Sequence, residues 1–149
     1  MDNNRLVITK HFPNVAPGKV YAAWTDPAII AQWYGPEGFS NTIHEMDVRP
    51  GGKYRLTMTS PDGGKNPLRG SFRELKKPEK IVFTWQWEGD GTPDNMGSQE
   101  TVVTVIIRAA GKGSEMTMTH EGFATAEQAA NHNMGWTSSF SKIEKVLAA

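Results

Sequence analysis

The sequence contains no cysteine. Without thiols the chain can form no disulfide, offers no thiolate nucleophile and builds no zinc site on sulfur ligands. Its fold must therefore be held by an apolar core, and 149 residues are enough for one domain with such a core. We expect a single domain that spans residues 1–149.

The chain also lacks an excess of charge of either sign and lacks long apolar runs. Sixteen basic residues balance sixteen acidic residues, which leaves no electrostatic signature for nucleic acid or an anionic membrane. Residues Met1 to Arg5 are mostly polar and do not begin a signal peptide, and no stretch is long enough to span a bilayer. These absences predict a cytoplasmic protein that binds neither nucleic acid nor membrane.

Motifs of common catalytic sites are missing as well. There is no Gly-x-Ser-x-Gly elbow, and Ser71 lies in the middle of a predicted strand, where no strained turn exposes it. The four histidines lack the spacing of metal ligands on one element. The string Gly111-Lys112-Gly113-Ser114 lacks the frame of a phosphate loop and is typical of a hairpin turn. The sequence therefore predicts no catalytic residue, no metal and no cofactor.

What is present is a strongly amphipathic stretch from about Thr125 to Leu147. Apolar residues recur along it at steps of three and four, and Thr125 suits the N-cap position of a helix. At about 1.5 Å per residue this helix is roughly 33 Å long, and its apolar stripe must pack on a second element. The stripe consists of Ala129, His132, Trp136, Phe140, Ile143 and Leu147.

Upstream of that helix, apolar and polar residues alternate in a way that predicts strands. Before most of these strands, Pro17 and Pro27 suit the N-termini of two short helices. The predicted order is a strand, two short helices, a meander of about six strands and one long helix. This order indicates an α+β fold in which the helix covers an antiparallel sheet. The predicted strands include Leu6–His11, Leu68–Leu75, Ile81–Trp87, Thr101–Ala109 and Glu115–Glu121.

Several short strings occur in the order seen in one protein family. They include Gln32-Trp33-Tyr34-Gly35-Pro36, Arg49-Pro50-Gly51-Gly52, Pro78-Glu79-Lys80-Ile81 and His120-Glu121-Gly122-Phe123. On these strings the chain resembles the activator-of-heat-shock-protein-90-ATPase-like branch of the START-like, or SRPBCC, superfamily. The resemblance covers nearly the whole chain. It implies the helix-grip fold, in which a curved antiparallel sheet of seven strands surrounds a long C-terminal helix.

The inward face of the predicted sheet is rich in aromatic and methionine side chains. One interpretation is a packed core, since such stripes usually fill the interior and methionine fits irregular gaps. The other is a ligand cavity, because a strongly curved sheet and a helix held at its ends need not meet in the middle. Loops 35–40 and 89–98 would then form its mouth. The residues selected for this cavity are Trp33, Tyr54, Met58, Phe72, Glu74, Trp85, Met118, His120 and Trp136.

Glu74 and His120 stand out in this set because they are polar. The strand pattern turns both inward, where they would orient a bound molecule; the alternative is a position at strand ends near solvent. His120 is the better candidate for proton transfer, since the ordinary histidine pKa lies near neutrality. His132 of the helix is interpreted as an edge residue near the surface.

Three functions are compatible with these observations. The first is non-catalytic binding of a small hydrophobic or amphipathic molecule between the sheet and the C-terminal helix, with no prosthetic group. The second, implied by the family resemblance, is a regulatory module that acts on a chaperone ATPase. The third is an enzyme of the aromatase, cyclase or hydrolase kind found elsewhere in the superfamily, which would use Glu74 and His120. An exposed edge strand would also allow a homodimer.

Overall fold

Strands that bury one face and a helix that buries one stripe make up most of this protein. The computed structural model describes residues 4–88 and 99–148, and the structural statements below refer to these residues. In chain order the elements are β1 (Arg5–Phe12), α1 (Pro17–Thr25), α2 (Pro27–Trp33), β2 (Ser40–Met46), β3 (Lys53–Thr59), β4 (Lys65–Lys76), β5 (Lys80–Trp87), β6 (Glu100–Ala110), β7 (Gly113–Glu121) and α3 (Ala126–Ala148).

All strand pairs in the described part of the chain are antiparallel, and they form one seven-stranded sheet in the order β1-β7-β6-β5-β4-β3-β2. Apart from the step from β1 to β7, neighbouring strands are consecutive in the sequence, as a meander requires. The sheet curves around α3, with α1 and α2 inserted after β1. The predicted α+β helix-grip fold is confirmed.

Helix α3 buries the stripe that its sequence predicts. Ala129, Trp136 and Leu147 are among its buried residues, and the Thr125 hydroxyl caps the helix by accepting the Gln128 N–H at 3.1 Å. None of the described helices is both long and apolar enough to cross a membrane.

Helices α1 and α2 fill one end of the space between α3 and the sheet. The Asp26 side chain caps α2 by accepting the Ala28 N–H at 3.0 Å, which fixes the turn between the two helices. Trp24 and Trp33 are completely buried, and their rings contact the ring of Trp136 on α3, with centroids 5.6 Å and 6.4 Å away. The space that remains beside α3 lies beyond this aromatic cluster.

Strand β4 contains a bulge that changes which residues face inward. Phe72 pairs with Phe83 of β5, but Glu74 already pairs with Val82, so two residues of β4 advance against one of β5. A bulge of this kind reverses the inward and outward positions that follow it. Glu74 consequently points outward, and its Oε1 lies 3.3 Å from Lys80 Nζ. The predicted inward orientation of Glu74 is wrong for this reason.

Before the bulge, β4 passes unusually close to β5. A Cβ atom at Gly70 would lie 2.1 Å from the carbonyl oxygen of Thr84 and 2.5 Å from the Tyr54 ring, so only glycine fits at this position. The Tyr54 side chain crosses above Gly70, and its hydroxyl donates to the same Thr84 carbonyl. Tyr54 is therefore bound within the sheet, and burial raises its pKa.

Candidate ligand-binding site

A cavity of about 370 Å³ lies between the middle of α3 and the sheet. Its walls come from the loop after α2, from strands β3 to β5 and from α3, and they are mostly apolar. No lysine, arginine, aspartate or glutamate is among the described residues that line it. The lining residues are Gly35, Pro36, Phe39, Met58, Asn66, Trp85, Trp87, Asn131, His132, Gly135, Trp136 and Ser139.

The loop of residues 34–39, which forms one wall, is fastened to α3 by Lys142. Partial burial lowers the pKa of this lysine, and the nearby carboxylate of Glu37 opposes the effect. A second tie is the Glu37 N–H, which donates to Ser138 Oγ at 2.9 Å. The Lys142 ammonium nitrogen lies 3.2 to 3.4 Å from the carbonyl oxygens of Tyr34, Gly35, Pro36 and Phe39.

Two tryptophan–histidine hydrogen bonds join α3 to the sheet beside the cavity. Trp87 of β5 donates its indole N–H to Nε2 of His132 on α3, at 3.1 Å. In the opposite direction, Trp136 of α3 donates to Nδ1 of His120 on β7, at 3.0 Å. An indole nitrogen can only donate, so each of these histidine nitrogens is an unprotonated acceptor. The sheet thus donates one hydrogen bond to the helix, and the helix donates one to the sheet.

His120 is completely buried, and both of its ring nitrogens are occupied. Its Nε2 lies 2.7 Å from Thr101 Oγ1, whose hydroxyl donates to the carbonyl oxygen of Trp85 at 2.8 Å, so Nε2 carries the proton. Burial, with a smaller contribution from His132, lowers the pKa of His120 well below its ordinary value. A neutral histidine with both nitrogens engaged by protein groups holds the core together and presents no free nitrogen to a ligand.

Trp85 differs from the other tryptophans of the chain. Of the five, the four others each donate their indole N–H to a sulfur, a carbonyl oxygen or a histidine nitrogen. The Nε1 atom of Trp85 is buried and has no hydrogen-bond partner in the described structure, although Trp85 lines the cavity. Leaving a buried donor unpaired costs about 1–3 kcal/mol, so a residue of the cavity wall carries an unsatisfied hydrogen-bond donor.

Gly135 leaves room on the side of α3 that faces the cavity. A Cβ atom built at this position would have Pro36 Cγ, 4.0 Å away, as its nearest neighbour. Asn131 and Ser139, one turn before and one turn after it, also line the cavity. Residues 131, 135 and 139 therefore form a second stripe on α3, next to the apolar stripe, and we call it the cavity stripe.

The described lining of the cavity has the composition of a small-molecule binding site. Its ring walls and methionine suit an apolar molecule, and a few uncharged polar side chains can orient it. Across residues 4–88 and 99–148, no group of three histidine, aspartate or glutamate side chains is placed to hold a metal ion.

Comparison with known proteins identifies the family of this chain. The family model described as "Activator of Hsp90 ATPase homolog 1-like protein" matches residues 14–148. The chain belongs to this AHSA1-like family. The family resemblance expected from the sequence is thereby confirmed, while no curated protein matches the chain significantly.

Solved structures with the AHSA1-like fold agree with the architecture described above. A protein from Chromobacterium violaceum is 26% identical, with a TM-score of 0.88 over 99% of both chains. The AHSA1 protein from Silicibacter pomeroyi is 28% identical, with a TM-score of 0.84 over 97% of both chains. A protein from Arthrobacter aurescens is 25% identical, with a TM-score of 0.85 over 99% of this chain and 89% of its own.

Within this AHSA1-like fold, the residues selected from the sequence fall into separate groups. Met58, Trp85 and Trp136 line the cavity. Glu74 lies on the outer surface, and His120 is buried behind Trp136 rather than exposed to the cavity. Four others are buried in the core and do not line the cavity: Trp33, Tyr54, Phe72 and Met118.

The sequence predicts that His132 lies near the surface and that two loops form the mouth of the cavity. His132, interpreted as a surface-edge residue, is only 8% exposed and forms part of the wall, because the Trp87 indole holds its ring inward. Of the two loops predicted to form the mouth, the one at 35–40 contributes Gly35, Pro36 and Phe39 to the lining. The other, at 89–98, lies outside the described residues.

The sequence carried signals for some of the lining residues that were not selected. Asn66 pairs with Met58 in the β3–β4 register, as expected for a hairpin whose turn is Pro61–Gly64. Asn131 and Ser139 stand four residues before and after Gly135, so a polar stripe beside the apolar one was readable. No local pattern marks Phe39, whose position depends on the loop that Lys142 holds.

Proposed function

We propose that this protein binds a small hydrophobic or amphipathic molecule in the cavity between α3 and the sheet and does not transform it. The cavity itself carries this proposal. Its volume of about 370 Å³ falls in the range of roughly 300–1,000 Å³ that is usual for small-molecule sites. Trp85, Trp87 and Trp136 give it the aromatic walls on which apolar ligands pack.

The positions of the two candidate catalytic residues support binding over catalysis. Glu74 forms an ion pair with Lys80 on the outer surface, whereas both nitrogens of His120 are engaged inside the core. The acid–base pair that an enzyme of the aromatase, cyclase or hydrolase kind would need is therefore not assembled by these residues.

A regulatory role on a chaperone ATPase has less support from the described surface. The large apolar side chains exposed there are Val7, Ile106 and Met134. Val7 and Ile106 lie on β1 and β6, which β7 separates, and Met134 lies on α3. These scattered positions do not form the contiguous apolar patch that usually marks a protein-binding surface. The chaperone partnership, a homodimer and a cytoplasmic location stay predictions from the sequence.

Native mass spectrometry of the freshly purified protein, compared with its denatured mass, tests the proposal. The test includes two variants at one position: Gly135→Leu places a side chain in the cavity, and Gly135→Ala leaves most of its volume open. We expect a reproducible excess mass on the native protein and on Gly135→Ala, and its loss from Gly135→Leu.

A second measurement covers a ligand that is lost during purification. The neutral dye N-phenyl-1-naphthylamine, which fluoresces in apolar surroundings, is titrated into the same three proteins. We expect saturable binding to the native protein and to Gly135→Ala but not to Gly135→Leu. A bare polypeptide mass together with no dye binding by the native protein would contradict the proposed function.

A further inference from the structure

We propose that the molecule bound in this cavity is uncharged and directs a hydrogen-bond acceptor, such as a carbonyl oxygen, at the indole N–H of Trp85. This inference rests on the proposed function, because it requires an occupied cavity. It adds the chemical class of the ligand and the residue that selects it.

The first observation is the unpaired donor itself. Trp85 is 4% exposed, and its Nε1 atom has neither a protein partner in the described structure nor contact with solvent. Buried N–H groups in folded proteins are almost always paired, since an unpaired donor loses its hydrogen bonds to water without replacement. Trp85 is one of the residues that line the cavity, so in this proposal a ligand packed against its ring supplies the missing acceptor.

The second observation is that the histidines around Trp85 are already engaged. The Trp85 ring packs against the ring of His120, with centroids 5.5 Å apart, but the two nitrogens of His120 face Trp136 and Thr101. In His132, Nε2 accepts from Trp87, and Nδ1 faces the Gln128 carbonyl at 2.9 Å. A neutral imidazole has a single acceptor nitrogen, so neither ring has another acceptor for the Trp85 donor.

The third observation concerns charge. The described lining contains no charged side chain, and the Lys142 ammonium behind the 34–39 loop is surrounded by four loop carbonyl oxygens. A carboxylate or an ammonium group in this cavity would lose its hydration without gaining an opposite charge, which is strongly unfavourable. An uncharged acceptor avoids this cost and still pairs with an indole N–H.

Other polar groups in the wall already donate to the protein backbone. Asn66 Nδ2 donates to the Met58 carbonyl at 3.3 Å, and the Ser139 hydroxyl donates to the Gly135 carbonyl at 2.9 Å. In contrast to these two side chains, the N–H of Trp85 has no acceptor. A ligand that lacks an acceptor would fill the volume but leave this donor unpaired.

Two probes of nearly the same shape test the acceptor. In 2-acetylnaphthalene a carbonyl oxygen replaces two hydrogens of 2-ethylnaphthalene, so the ratio of their dissociation constants isolates the acceptor from the apolar contacts. Both are titrated into the native protein and into Trp85→Phe, which removes the N–H but keeps an aromatic ring. We expect the preference for the ketone to fall by about tenfold in Trp85→Phe. The anion 2-naphthoate should bind the native protein at least about tenfold more weakly than the ketone.

A measurement on the unmodified chain guards against loss of folding in Trp85→Phe. The five indole N–H resonances of ¹⁵N-labelled protein are assigned through contacts to neighbouring protons. We expect the ketone to move the Trp85 N–H resonance downfield, as a new hydrogen bond does, and the hydrocarbon not to do so.

The outcomes separate this inference from the proposed function. A preference for the ketone that survives in Trp85→Phe, or an unshifted Trp85 resonance at saturation, would overturn the acceptor while leaving the cavity a binding site. Tighter binding of 2-naphthoate than of the ketone would overturn the requirement for an uncharged ligand. Failure of all three probes to bind would count against both proposals.

Discussion

At the scale of the residue, Gly135 influences both the stability of α3 and the size of the cavity. We expect Gly135→Ala to raise the free energy of unfolding by about 0.5–1 kcal/mol, because glycine in a helix interior costs about this much relative to alanine. The new methyl group would approach only Pro36, at 4.0 Å, which is an ordinary contact distance. Urea denaturation measures the change. A decrease in stability would show that the bare backbone at this position is needed for packing.

The hydrogen bond between Trp136 and His120 is a second feature of single residues. Removing either partner leaves the other with a buried, unpaired nitrogen, so His120→Phe and Trp136→Phe should each destabilise the protein. In a double-mutant cycle we expect a coupling energy of about 1 kcal/mol between the two positions. Additive effects would mean that this bond contributes nothing beyond packing.

The exposed ion pair of Glu74 and Lys80 supplies a control for that cycle. Both side chains are substantially exposed, at 49% and 37%, so Glu74→Gln should change the free energy of unfolding by no more than about 0.5 kcal/mol. A larger loss would give Glu74 a role that its outward position does not explain.

At the scale of the element, Lys142 connects α3 to the loop that forms one wall of the cavity. We expect Lys142→Met, which keeps the apolar stem, to cost about 1 kcal/mol and to speed amide hydrogen exchange in residues 35–39. The matched control is Lys145→Met, because Lys145 is more exposed and its ion pair with Glu37 is a long 3.8 Å contact. Equal exchange in both variants would show that the loop holds its shape without the ammonium group.

At the scale of the whole molecule, stability should depend on pH through the buried His120. Its pKa is lowered in the folded state, so below about pH 6.5 the unfolded chain binds a proton that the folded protein does not. From this group alone, the free energy of unfolding should fall by up to about 1.4 kcal/mol per pH unit as acid is added, until the lowered folded-state pKa is reached.

Denaturation between about pH 7.5 and pH 5.5 measures this dependence. His120→Phe should be less stable at the upper end and should lose stability less steeply towards the lower end. Parallel curves for the two proteins would show that other groups produce the acid sensitivity.

Much of this architecture was predictable because burial on one side leaves a regular trace in the sequence. The alternation of apolar and polar residues in β3 predicted a strand, and the apolar stripe of α3 predicted a helix. Together they indicated one arrangement, a helix packed on one face of a sheet. The orientation of Glu74 was not predictable, because one extra residue at a bulge reverses the inward and outward positions that follow it. No residue type near the bulge indicates its presence in the sequence. The full set of lining residues was not predictable for another reason. It depends on how Trp24 and Trp33 fill one end of the interior, which is decided by distant contacts.

The two stripes of α3 have different roles, and this difference affects how the protein can evolve. The apolar stripe from Ala129 to Leu147 packs in the core, with His132 and Trp136 also at the cavity wall, whereas the cavity stripe at positions 131, 135 and 139 lies beside it along the cavity. Substitutions in the cavity stripe can enlarge, narrow or re-polarise the cavity while the neighbouring stripe keeps the chain folded. If the cavity binds a ligand as proposed, a lineage carrying this helix can therefore exchange one ligand for another in small steps, without passing through an unfolded ancestor.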